Sequence, residues 1–396
     1  MNDVIIAGIG QTPVEEHWDT SLRQLALQAI EAARRDAGGL QPQALFVGNM
    51  LAPEISRQAH LGALIADYAG LTGIEAATLE AAGASGGAAL RAGYLAVASG
   101  LIDVALVVGV EKFTDQLGAS VEAALATGGD SDYETVQGVT PTIQAALLMR
   151  RYLFEFNVPR SAFAGFPVVA HANGVGNPQA MFRKPLNAET YNRADMVSEP
   201  LNLFDVAPRA DGAAALLLTR SDLLPVGYAH RQVRIAGSSL VSGTLAIHDR
   251  HDPLEFEVAR LSVERACQKA RITPLQADFL ELYDAFSIYA ALSLEAAGFA
   301  ERGQGWRLAQ PGGSGQNGDS PAPISLQGSL PVGTLGGLKA RGNPGGATGV
   351  YQAVEAVLQL RGQAGLNQLP NPRRGLIQCL GGSGSTAATH ILEGKD

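Results

Sequence analysis

Cysteine, charge and long apolar runs are all scarce in this chain. Of 396 residues only two are cysteines, Cys267 and Cys379, too few for a disulfide framework or a cysteine zinc site. Charged residues make up 17%, with 29 basic against 38 acidic and a net charge of -9. No lysine or arginine cluster interleaves with aromatics, so nucleic acid is not expected as a partner. Asp3 precedes only a short apolar run, Val4 to Ile9, which supplies neither the basic segment nor the apolar core of a secretory signal, and a cytoplasmic location is expected. Gly375 to Leu392 carries no Asp, Glu, Lys or Arg, but its glycines and hydroxyl residues make it strand and turn, so no membrane span is expected. Gly8 and Gly10 lack a third glycine, Pro13 standing in its place, which removes the dinucleotide-binding fingerprint. His248 and His251 are three apart in a polar loop that cannot fix them, and no metal is expected there.

Glycine, by contrast, is abundant. The 47 glycines and the 46% hydrophobic content argue against disorder and for tight turns in a compact α/β protein. At roughly 150 residues per domain the length allows two or three full-sized cores. Val4 to Gly10 reads as a buried strand, and Ser21-x-x-Gln24 as a capping box opening a helix that Gly38 and Gly39 stop. Further strands are expected at Ala44 to Val47 and Val104 to Val110, with a helix after the turn Gly83-Ala-Ser-Gly-Gly87. Residues 114 to about 202 are richer in Asp, Tyr, Arg and Asn and read as an inserted cap; its acidic cluster, Asp130 to Glu134, reads as a solvated loop.

Asp211 to Leu218 returns to strand character, and Ser221 to Arg231 reads as a crossover. The second half then repeats the plan: strand Val233 to Ala236, helix Phe256 to Ala270, strand Phe279 to Tyr283, helix Ile288 to Ala297. A second glycine-rich turn, Gly342-Asn-Pro-Gly-Gly346, leads into helix Thr348 to Leu360, before a strand pair within Leu376 to Leu392. Ala309 to Pro323 reads as a flexible surface insertion. The pattern is a duplicated α/β unit, with halves at 1–222 and 231–396, whose two helix N-termini converge on one site.

The ordered set Leu79 to Gly87, Val107 to Lys112, Asp211 to Ala215, Leu282 to Phe286, Gly336 to Gly349 and Gln359 to Gly362 resembles the thiolase superfamily. The match runs the length of the chain and is most similar to the sterol-carrier-protein-type thiolases and the archaeal and bacterial acetyl-CoA acetyltransferases. The resemblance implies a five-layered α-β-α-β-α fold with a cap, a homodimer and a CoA thioester as substrate or ligand, with no cofactor bound covalently. It also implies a cysteine nucleophile at a helix N-terminus, a histidine in Gly-His-Pro, an Asn or His opening a strand-end motif, and a second cysteine that moves protons.

At three of those places this sequence differs. The nucleophile position is Gly83, the Gly-His-Pro histidine is Asn343, and the residue before Asp284 is Tyr283; Cys379 falls where the second cysteine would lie. Glycine carries no acyl group, and nothing in the sequence lowers the pKa of Cys379, so non-covalent aldol or Claisen chemistry with Tyr283 and Asn343 is expected. This is similar to the steroid side-chain aldolases of the superfamily, which carry a tyrosine there and act with a small OB-fold partner that helps form the acyl-CoA channel. The alternative is a catalytically silent subunit that binds acyl-CoA or scaffolds an active relative. Each residue also has a plain structural role open to it: a turn glycine at 83, a core tyrosine at 283, a turn amide at 343, a small hydrophobe at 379. Cys267 reads as packing. Ser238 and Ser239, read as a strand end, are expected near the pantetheine arm.

Overall fold

The computed structural model describes residues 3–311 and 320–395. Residues 312–319, the centre of the expected insertion Ala309 to Pro323, lie outside the described residues, and Ala309 itself is buried at the end of a short 3-10 turn.

In the first half, β1 (Val4–Gln11) leads to α1 (Leu22–Asp36), β2 (Ala44–Gly48), the short α2 (Ala52–Ile55), α3 (Leu61–Tyr68), β3 (Glu75–Leu79), α4 (Ser85–Ser99) and β4 (Val104–Glu111). Helix α1 starts at the capping box of Ser21 and Gln24 and turns Leu22, Leu25, Ala26, Ala29, Ile30 and Ala33 inward, the 3.6-residue stripe that buries against a sheet. An excursion holds α5 (Gly118–Ala126), α6 (Pro141–Glu155), α7 (Gly165–Gly174), α8 (Ala188–Arg193) and the small pair β5 (Met196–Ser198) and β6 (Leu201–Asn202). The chain returns in β7 (Gly212–Arg220). At the root of the excursion Lys112 and Asp211, both buried, pair at 3.1 Å. The second half comprises β8 (Val233–Ser242), α9 (Glu257–Ala270), β9 (Phe279–Glu281), α10 (Ser287–Ala296), α11 (Thr348–Arg361), β10 (Arg374–Gly381) and β11 (Thr386–Gly394).

Among the described residues nine strands form one mixed sheet in the order β3-β2-β4-β7-β1-β8-β11-β10-β9. The halves join through a single residue pair, Ile5 with Arg234, so this is two sheets meeting at a seam. Helices α4 and α11 lie between the two sheets and touch strands of both, while α1 and α3 cover one outer face and α9 the other. Twelve of the fourteen residues of α11 are buried, as a helix sandwiched between sheets requires. The central helices meet backbone to backbone: a methyl on Gly349 would lie 2.3 Å from the Gly87 nitrogen, and one on Gly86 2.9 Å from the Gly346 oxygen. This is the five-layered duplicated arrangement expected.

Strand β8 corrects the sequence reading. It does not stop at Ala236 but continues to Ser242, pairing Ser238 with His390 and Ser239 with Thr389. Gly237 is bare because α9 presses on it; a methyl there would meet the Ala266 oxygen at 2.1 Å. The small residues therefore mark close helix approach rather than a strand end.

Candidate active site

The turn that opens α4 is a single 3-10 turn, Ala82–Ala84. Ser85 holds it: its hydroxyl donates to the Ala82 oxygen at 2.6 Å and accepts from the Ala81 N–H at 2.9 Å. Ala82 sits at a φ of 48°, a left-handed conformation that costs a residue with a Cβ about 1 kcal/mol, and its N–H is anchored by the Glu80 carboxylate at 2.5 Å. Gly83 therefore lies at the very tip of α4, fully within the fold.

Three side chains converge on Gly83. Tyr283 follows β9 and reaches across from the second half; its hydroxyl oxygen lies 2.4 Å from the place where a Cβ on residue 83 would sit, and the Leu380 carbonyl lies 2.6 Å from the same place. The space a side chain at the helix tip would need is thus filled by a phenol. Cys379, in β10, donates its thiol hydrogen to the Gly83 oxygen at 3.0 Å. Asn343 opens the turn before α11, and its Oδ1 accepts from the Gly345 N–H at 3.1 Å and the Thr348 hydroxyl at 3.4 Å. With that oxygen engaged, the Asn343 side chain acts on the Tyr283 phenol in the direction that favours its ionised form. The Asn343 backbone is fixed as well, donating to the Pro208 oxygen at 2.8 Å.

Burial dominates the electrostatics. It raises the Tyr283 phenol far above its ordinary value, the charges of Cys379 and Tyr289 adding to it and the Asn343 bond opposing it. The Cys379 thiol is pushed up to about 12 by burial, against the attraction of Arg341. At neutral pH both groups are protonated. Cys267 lies elsewhere, buried in the outer layer with its thiol up to about 11.

Sequence reasoning left several supporting residues without a role. Asp284 accepts the Leu338 N–H at 2.7 Å, and Gly337, at a φ of 53°, leaves room for it: a methyl there would touch the carboxylate at 2.6 Å. Lys339 donates to the Phe204 and Asp205 oxygens, and burial lowers it to about 8. Glu111 gathers the N–H groups of Met50, Leu51 and Gly346 and the Asn49 amide, and burial raises it to about 7. The signal was present in each case, an acid or base inside an otherwise apolar or glycine-rich motif, which buries only with partners.

A cavity of about 580 Å³ adjoins the Asn343 side, lined by His171, Phe182, Phe204, Val206, Pro208 and Lys339 among others. A second, of about 430 Å³, borders Ala81, Ala82 and Gly381 on the opposite side. Ser238 and Ser239 border none of the cavities near Gly83; both are buried within β8. Among the described residues no cluster of His, Cys, Asp and Glu has the makings of a metal site, and no helix is long and apolar enough to cross a membrane.

Residues 4–222 match the family description "Thiolase, N-terminal domain" and residues 239–394 match "Thiolase C-terminal domain-like". The acetyl-CoA acetyltransferase of Methanothermobacter thermautotrophicus is 41% identical over 99% of this chain and 100% of its own. The chain belongs to the thiolase family. Another thiolase relative is the benzoylsuccinyl-CoA thiolase subunit BbsB of Thauera aromatica, 29% identical over 96% of this chain and 94% of its own. The thiolase fold recurs in the Ltp2-ChsH2(DUF35) aldolase, with a TM-score of 0.82 at 23% identity over 99% of this chain and 98% of that one. It recurs again in a monomeric SCP2-thiolase like protein type 1 from Mycobacterium smegmatis, with a TM-score of 0.74 at 18% identity over 100% of this chain and 77% of that one.

Proposed function

We propose that this thiolase-family chain binds a CoA thioester at the α4 tip and makes or breaks a carbon–carbon bond beside the thioester without forming an acyl-enzyme. The observation that carries the reading is the Tyr283 hydroxyl lying where a side chain on residue 83 would be. A nucleophilic cysteine, the group that defines thiolase chemistry, has neither an atom nor a space there, and a proton donor occupies its place.

In the aldol direction the Tyr283 oxygen takes the Cα proton of the thioester as its own proton passes to the carbonyl oxygen of an aldehyde or ketone, and the Cα carbon bonds to that carbonyl carbon. The carbonyl oxygen becomes the product hydroxyl, Tyr283 ends as the neutral phenol it began as, and the Cys379 thiol stays protonated against the Gly83 oxygen. Cleavage runs the same steps backwards. The Asn343 amide hydrogens stabilise the enolate oxygen, a contribution of about 3 kcal/mol for one well-placed donor. The apolar cavity beside Pro208 and Phe204 receives the acyl portion. The aldolase neighbour is named together with a DUF35 protein, and that supports a small OB-fold partner for this chain too, alongside pairing of two copies.

Tyr283→Phe is expected to lower turnover at least 100-fold while acyl-CoA still shifts the melting temperature. Turnover that survives the substitution overturns the reading, as does an acyl adduct in the intact mass that free CoA removes. A second reading, a silent binding subunit, is favoured by the relative named as a subunit. It requires that the wild-type chain, supplied with acyl-CoA, carbonyl acceptors and an OB-fold partner, turns nothing over, and that Tyr283→Phe leaves complex formation intact.

A further inference from the structure

The largest cavity described lies away from the Gly83 tip. It measures about 700 Å³ and sits at the other end of α4, where Tyr94, Leu95 and Ala98 face Val4, Ile235 and Ala270. From Ser85 to Ser99 a helix rises about 20 Å, so this space is separate from the site above. Its wall is apolar, and its rim is cationic.

The rim charges come from Arg234, Lys269 and Arg271, with Asp3 the one carboxylate. Arg234 is neutralised by Asp3 and Glu393, and Asp3 also pairs with Lys395. Lys269 and Arg271 differ: among the described residues neither has a carboxylate within ion-pair distance or a side-chain hydrogen bond. A third cation stands close behind. Arg91 donates to the Ser238 oxygen at 2.7 Å, lies 5.8 Å from the centre of the Tyr94 ring in the cavity wall, and repels Lys269. Lys269 and Arg271 are both exposed, so in a chain with a net charge of -9 they leave a local positive field at the mouth of an apolar hollow, where an anion arriving from solvent can meet them.

We propose that this cavity is a binding site for a single-headed amphipathic anion, an alkyl chain lying along Tyr94, Ala98 and Ile235 with its head at Lys269 and Arg271. The volume admits a chain of about a dozen carbons, since apolar pockets of this size suit drug-sized ligands. The head is a carboxylate, as in a free fatty acid; in a fatty acyl-CoA the phosphates stand a full pantetheine arm away from the alkyl chain, so that ligand does not fit chain and rim together.

Calorimetric titration of the intact protein with dodecanoate, dodecyltrimethylammonium and dodecanoyl-CoA, each below its micelle concentration, tests the site. One dodecanoate per chain is expected, weakened at least tenfold by K269E/R271E and abolished by Ala98→Trp, which fills the hollow. Dodecyltrimethylammonium is expected not to bind there. Tyr283→Phe is expected to leave dodecanoate binding unchanged, which separates this site from the proposed active one. Dodecanoyl-CoA losing one binding event in Ala98→Trp overturns the carboxylate assignment; losing none supports the free acid as the occupant. Dodecanoate affinity untouched by both cavity variants overturns the proposal, as does equal binding of the cationic amphiphile. So does a dimer that dissociates on K269E/R271E, which would make a second copy the occupant.

Discussion

At residue 83 the absence of a side chain is a packing fact before it is a chemical one. A Cβ would lie 2.4 Å from the Tyr283 oxygen and 2.6 Å from the Leu380 carbonyl, and the second contact is to strand backbone, which yields less readily than a ring. Gly83→Cys is therefore expected to lose about 1–3 kcal/mol of stability, the usual cost of overpacking, read as a lower denaturation midpoint. Tyr283→Asn removes the phenol and also destabilises, by leaving space unfilled. The double variant is expected to be at least 1 kcal/mol more stable than the sum of the two losses, a coupling that a double-mutant cycle measures directly; additivity would mean the residues do not share the space. The pattern of strand, glycine-rich turn and helix placed the turns at Gly83 and Asn343 on one site, while Tyr283 and Cys379 were tied to it only by the thiolase resemblance. That the hydroxyl of one fills the vacancy of another was not legible, since it depends on how far the segment after β9 reaches across the central layer.

Within the elements, two buried groups oppose one another as pH changes. Glu111, at the end of β4, is raised from 4.5 to about 7, so the folded state binds more protons than the unfolded one in that interval. Its contribution to stability is full below pH 4.5 and is lost as pH rises to 7. His390, in β11, donates its Nε2–H to the Gly87 oxygen at 3.1 Å and is lowered by burial from 6.5 to about 4. Here the unfolded state binds more protons, and stability rises from pH 4 to 6.5. The two slopes cancel over most of their overlap. Compared with wild type, Glu111→Gln is expected to gain stability as pH rises from 4.5 to 6.5, and His390→Gln to lose it, each by about 2–3 kcal/mol. Melting temperatures across that range test this; parallel curves for all three proteins would contradict it. Neither slope was visible in the sequence, where Glu111 was a motif letter and His390 one of seven histidines.

For the whole molecule, the duplicated plan was legible because period and punctuation repeat: apolar strand, glycine-rich turn, helix, twice over. What the sequence understated was how the halves are tied. Besides the single pair at the seam, Arg361 at the end of α11 reaches Asp36 at 2.7 Å, Tyr228 at 2.7 Å and the Ile6 and Ala7 oxygens. Its side chain is wholly buried. Arg361→Met is expected to cost about 3 kcal/mol, because it removes the buried cation that pairs with Asp36 and leaves that carboxylate only the Ile9 N–H and His230, and urea denaturation reads that loss. Ligand occupancy acts in the other direction: an acyl-CoA at 100 times its Kd is expected to add about 2.7 kcal/mol, seen as a rise in melting temperature. The same interlocking across the central layer has an evolutionary reading. Because the bare helix tip and the phenol over it come from opposite halves of the chain, a step toward sulfur at one position is penalised until the other has changed as well. A change of Gly83 to cysteine must then pass through a less stable intermediate, so the packing itself resists sulfur at the helix tip.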